Sequence, residues 1–243
     1  MKQLVVTIAL ILFSIHSFAQ KGFEVGIAGQ FQNTWIFNDN DLSTGPKLDY
    51  KETFGSAFGL QLGFGFNDRH GIRVGVFQST QGQNYITSED FLVLPKAKYF
   101  VKQSYLNIPV LYRYVADLKK HNSAFVLHIG PQFGLLQKST STAVQSKSPF
   151  TNAMISPEFD SKENYNSMDI SAVLGVGTIF RLNKSFHINT MINLAYSVVD
   201  IEKADKKFPA ERVTSNHGVV GFQLGLYYLI GGPDFVSKDK YKP

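Results

Sequence analysis

The sequence predicts an all-β fold: an eight-stranded antiparallel up-and-down transmembrane β-barrel with short periplasmic turns and long outer loops. Three observations predict it. The stretch Phe54 to Phe66 alternates large apolar residues with Gly, Ala and Gln, so its second face is small and weakly polar rather than charged. A period of two with an apolar face and a small, polar face is the pattern of a strand between lipid and a crowded lumen. Seven further stretches share that pattern, and the connections between them alternate long and short. The third observation is the leader. Lys2, an apolar run from Leu4 to Ile15 and the small-x-small site Ser17-Phe18-Ala19 read as a secretory signal peptide over 1–19. Its apolar run is short for a helical span, which takes about 20 residues.

The 243-residue chain contains no cysteine, which excludes a disulfide scaffold, zinc–thiolate sites and thiol catalysis. The net charge of +5 is scattered, with no basic stripe interleaved with aromatics, so nucleic acid is not implied. The barrel is assigned to 20–231 and a polar, Gly- and Pro-broken periplasmic tail to 232–243.

Taken in order, the first strand runs from Phe23 to about Ile36, with Phe23, Val25, Ile27, Phe31 and Trp35 on one face. Loop 37–53 follows, then the strand Phe54–Phe66 and the tight turn Asn67-Asp68-Arg69-His70-Gly71. The third strand starts at Ile72; Gln78 to Asn84 is polar on both faces and is expected to rise beyond the membrane. After loop 84–98 the fourth strand, about Tyr99 to Tyr114, sets Leu106, Ile108, Val110, Tyr112 and Tyr114 outward. Pro109 lacks a donor for the ladder, so a bulge or an unpaired position is expected there. The fifth strand, Ala124 to Leu136, leads into the longest loop, 137–167. The sixth runs Met168 to Leu182, the seventh Phe186 to Val198, and the eighth, after charged loop 199–214, Asn216 to Ile230.

A soluble barrel of the lipocalin kind also alternates, but its outer face is charged. Here nearly all Lys, Asp and Glu lie in the loops. Aromatics gather near strand ends: Trp35, Phe54 and Tyr196 toward the outside, and Phe66, Tyr112, Tyr114, Phe180 and Phe186 toward the periplasm. These are expected interfacial girdles.

Four charged residues fall on the inward face near the periplasmic strand ends: Glu24, Arg73, Arg113 and Arg181. Buried charge must be paired, so these are expected to form a lumen salt-bridge network centred on Glu24 and helped by His187. Asp234 of the tail is one candidate to offset the surplus of arginine. Asp169, Ser197 and His217 fall near the outer ends of adjacent strands on the inward face, the residue types of a catalytic triad. The six histidines form no ligand-spaced pair, and the Gly-rich stretches have strand rather than phosphate-loop spacing. No catalytic, cofactor-binding or metal residue is assigned, and no cofactor is expected.

The segments GIRVGVFQSTQG (71–82), YLNIPVLYRY (105–114), GPQFGLL (130–136) and DISAVLGVGTIF (169–180), with the leader ending Phe18-Ala19-Gln20, are similar to the PorT type of outer-membrane β-barrel. The resemblance spans most of the mature chain and rests on structural motifs. It implies an outer-membrane location, outer-membrane lipid as surroundings, and a non-enzymatic accessory part in type IX protein secretion and gliding, with secretion-machinery proteins as partners. The chain departs from the common outer-membrane ending, because its last strand closes on Leu229-Ile230 and a tail rather than on a terminal Phe. Two alternatives stand beside that reading. One is a structural or adhesion barrel acting through its outer loops; the other is a lipid-modifying outer-membrane enzyme.

Overall fold

The computed structural model describes residues 22–43, 48–67, 69–87, 97–117, 123–145, 154–155, 158–183, 185–207 and 212–230. The leader, the tail with Asp234, and parts of the loops lie outside these. The strands are β1 (Phe23–Phe37), β2 (Leu48–Lys51), β3 (Phe54–Gly65), β4 (His70–Thr87), β5 (Ala97–Asp117), β6 (Ser123–Gln145), β7 (Met154–Ile155), β8 (Phe159–Asp160), β9 (Met168–Arg181), β10 (Phe186–Ser197) and β11 (Asn216–Ile230). A short helix, α1 (Asp39–Ser43), lies between β1 and β2.

Eight of these strands form a ring in the order β1-β3-β4-β5-β6-β9-β10-β11. Every pairing is antiparallel, and β11 closes on β1 from Phe23 opposite Ile230 to Phe37 opposite Asn216. Closure removes the sheet edge that a membrane would leave unsatisfied. β2, β7 and β8 add to the outer ends of β4 and β6.

The greasy face is on the outside. Leu60 is 60 % exposed, Ile192 and Leu224 each 53 %, and Leu174 40 %, while Gln61, Gln223 and Asn189 are buried. A water-soluble barrel would show the reverse. Aromatic rings also pair near both ends of the strands. Phe31 stacks on Phe54 at 5.3 Å at the outer rim, and Phe186 packs on Tyr228 at 5.0 Å at the other.

At the periplasmic end two turns use the same chemistry. Asn67 Oδ1 accepts from the Arg69 and His70 N–H groups (both 2.9 Å), and Asn183 Oδ1 accepts from Ser185 and Phe186 (2.9 and 2.8 Å). Asparagine holds a tight turn in this way by bonding the backbone two residues on.

The outer half corrects the sequence expectation. Loops are expected over 84–98 and 137–167, yet β4 runs to Thr87, β5 begins at Ala97 and β6 continues to Gln145. A barrel strand needs about 9–11 residues to cross a membrane. β4–β6, with 18, 21 and 23, therefore stand well above it as a wall on one side. Outside lipid neither face need be apolar, so periodicity is silent there.

Pro109 does leave its neighbours unpaired: no partner on β5 stands opposite Gly75 or Val76, whereas register is unchanged on either side. The bulge is elsewhere. Between β5 and β6 the register shifts at Ser104/Tyr105, where Gln137 is the extra residue.

Candidate functional site: a closed lumen beneath an outer cup

The inward face builds the candidate site in layers. In the periplasmic layer, β1 brings Glu24 in, β4 Arg73 and β5 Arg113. Both guanidinium groups hold Glu24 Oε1: Arg73 through two nitrogens, Nε at 3.0 Å, and Arg113 through Nη1 at 2.7 Å. His187 Nε2 lies 3.4 Å from the other carboxylate oxygen. Arg73 also lies over the Tyr227 ring, 4.3 Å from its centroid, and His187 stacks on the same ring at 5.2 Å. Glu24 and Arg73 are fully buried and Arg113 nearly so. Arginine suits the position because its planar fork serves several acceptors at once. Arg181 stands opposite His187 in the β9–β10 register, one place around the ring from these contacts.

Above it is an amide layer that the sequence reading did not single out. Tyr227 donates its hydroxyl to Gln61 Oε1, and Gln223 donates to the same oxygen at 3.3 Å. Asn193 donates to Gln30 (2.7 Å) and Gln223 (3.0 Å), Gln30 to Gln32 (2.8 Å), and Gln32 to Ser79 (3.1 Å). The space left among these side chains is about 50 Å³. An eight-stranded barrel has just enough interior for its side chains. The signal that could have found the layer was the recurrence of Gln and Asn at inward positions of β1, β3, β10 and β11.

The third layer joins Asp169, Ser197 and His217. The Ser197 hydroxyl bonds Asp169 Oδ1, while His217 Nδ1 meets Asp169 Oδ2 at 3.0 Å and its Nε2 meets Gln103 Oε1 at 2.7 Å. The sequence reading placed the three together correctly. Their order, however, is not that of a nucleophilic relay. A triad needs the histidine between serine and acid; here the acid lies between serine and histidine, and both histidine nitrogens face other groups. All three are buried. The arrangement is a clamp tying β9, β10, β11 and β5 together.

Over the clamp opens an outer cup of about 350 Å³. Its walls are Ile36, Val101 and the tyrosines Tyr85, Tyr99 and Tyr165; its rim carries Asp41, Asn164, Glu202, Lys206 and Arg212. Arg212 binds Asp41 at 2.6 Å and Glu202 at 3.0 Å, which ties α1 to the segment between β10 and β11. Burial works against its charge, but the two carboxylates outweigh it and push its pKa above the ordinary arginine value. Burial likewise raises the Tyr165 hydroxyl above its usual range, so it stays neutral. Nearby, burial opposes ionisation of Asp200, yet hydrogen bonds from Lys207 and from the Ser215 and Glu202 N–H groups hold its carboxyl below the ordinary aspartate value. The cup was not legible in the sequence, because its residues come from three loops and three strands, β1, β4 and β5, with no shared motif.

A closed antiparallel ring with an apolar outer belt and a polar, filled lumen defines an outer-membrane barrel. The chain belongs to the outer membrane protein beta-barrel domain family, whose model matches residues 5–230. The match reaches the barrel class rather than the narrower PorT type. Among solved structures the chain is similar to Ail, the attachment invasion locus protein of Yersinia pestis (13 % identity, 86 % of this chain and 99 % of that one, TM-score 0.41). It is also similar to OprG from Pseudomonas aeruginosa (12 % identity, 88 % and 99 %, TM-score 0.43) and to Neisserial surface protein A (11 % identity, 85 % and 96 %, TM-score 0.40). No curated protein matches. The protein is located in the outer membrane.

Proposed function

We propose that this is a non-enzymatic, non-conducting barrel that acts through its outer face, as an adhesion or recognition protein whose contact surface is the cup with its rim loops. The observation that carries this reading is the filled lumen. Ion cluster, amide layer and clamp lie one above another beneath the cup, so a solute entering the cup meets side chains at every level. In this reading Glu24, Arg73, Arg113 and Arg181 serve as a structural plug.

The test has two arms. The protein reconstituted in planar bilayers is expected to give no resolved conductance steps; steady single-channel currents overturn the closed-barrel reading. Cells carrying Arg212→Ala, which unties the rim, are expected to lose surface binding while the barrel still migrates as a folded species. Unchanged binding removes the cup from the proposal. An accessory part in type IX protein secretion draws support from the PorT-type resemblance alone. Gene deletion scored for secretion and gliding tests it, and normal export in the deletion strain dismisses it.

A further inference from the structure

Above the apolar belt, the outer face of β5 and β6 turns basic. Reading outward along β5, the lipid-facing positions pass from Ile108 and Leu106 through Ser104 to Lys102, Phe100 and Lys98. Strict alternation on β6 from Phe133 and Leu135 would point Lys138 into the barrel. The bulge prevents this. With Gln137 as the extra residue, Lys138 lies outward, paired with Ser104 and diagonal to Lys102, while Ser139 takes the buried position. Re-aiming a side chain is a recurrent use of a bulge.

Lys138, level with Ser104, and Lys102 stand within reach of a headgroup layer, with Lys98 four residues farther out, beyond it. Four residues separate Leu106 from Lys102, roughly 13 Å along a strand and about 10 Å vertically at usual barrel tilt. Headgroups occupy about 5–8 Å on each side of the hydrocarbon. Glu158 lies 3.8 Å from Lys138, but the two side chains are 58 % and 69 % exposed, too solvated for strong neutralisation. Outward positions at the same end of β1 and β10 carry Trp35, Phe37 and Tyr196 instead, so the basic face belongs to one side of the barrel.

We propose that Lys102 and Lys138 form a docking face for the phosphate groups of an outer-leaflet glycolipid, whose acyl chains lie on the apolar belt directly below. The inference is independent of what the cup binds. Two chemistries on one continuous face, ammonium over hydrocarbon, fit a phosphorylated amphiphile better than a free anion.

The test uses the full-length protein in neutral alkyl-glycoside micelles, with bisphosphorylated lipid A and its phosphatase-treated form as probes. Wild-type protein is expected to prefer the phosphorylated form at least tenfold, with the preference shrinking as salt is raised. The double variant Lys102→Gln, Lys138→Gln, checked for folded migration, is expected to lose the preference, and the corresponding Lys→Arg double to keep it. Equal binding of both lipid A forms overturns the proposal, as does a Gln variant that keeps the preference. Inorganic phosphate binding as tightly as the lipid overturns it too, by showing a free-anion site.

Discussion

Gly63 is glycine because Glu24 needs the space: a Cβ there would overlap the Glu24 carboxylate. Gly63→Ala therefore forces the acid off its two arginines, and overpacking of this kind costs about 1–3 kcal/mol. Glu24→Gln leaves Arg73 and Arg113 buried with a neutral neighbour, a loss of roughly 3–5 kcal/mol for a buried pair broken from one side. Denaturant unfolding in micelles is expected to rank the glutamine variant below the alanine one. A Glu24→Gln protein as stable as wild type would mean that the plug contributes nothing. At Asp200 the sign of the pH effect follows from its depressed pKa. Its carboxylate contributes stability that is fully present above the ordinary aspartate pKa and is lost as pH falls through the lower, folded value. Amide exchange at Glu202 and Ser215, whose N–H groups bond Asp200 Oδ1 at 3.0 and 3.1 Å, is expected to quicken on acidification. Asp200→Asn is expected to remove that pH dependence.

At the scale of the strand, the bulge at Gln137 decides which residues of β6 see the cell surroundings. In intact cells Lys138→Cys is expected to react with a membrane-impermeant maleimide and Ser139→Cys to resist it. The opposite order would place the bulge elsewhere. The same strand shows how legibility ran out. From Phe125 to Leu135 its parity was readable, because lipid on one side and a crowded lumen on the other demand unlike side chains. From Gln137 onward neither face needs to be apolar, Ser and Thr serve either, a buried inward Ser139 included, and an extra residue shifts parity without leaving a hydrophobic trace. Pro109 shows a milder case. Its missing donor foretold unpaired neighbours, but nothing at that position hinted that the true register shift lay upstream. In the lumen, Glu24 and the arginines stood out because charge on an inward face requires a partner. The amide layer and the cup did not, since Gln, Asn and Tyr are at home in many environments.

For the molecule as a whole, the decisive property is an oily exterior around a polar interior. Leu60, near the middle of β3, tests it. Leu60→Arg is expected to destabilise the folded barrel in bilayers by about 2–4 kcal/mol, the range for a cation at the midplane of a barrel's lipid face. A change near zero would argue that this belt does not face hydrocarbon.

The seam between β1 and β11 sets an order of events. A chain delivered only as far as residue 215 would own two raw borders, one on β1 and one on β10, with nothing to stitch them. Sealing must then wait for β11, fifteen residues long, and until it pairs with β1 both borders stay open to other strands. The interval before sealing is when it is most exposed to clumping or to degradation.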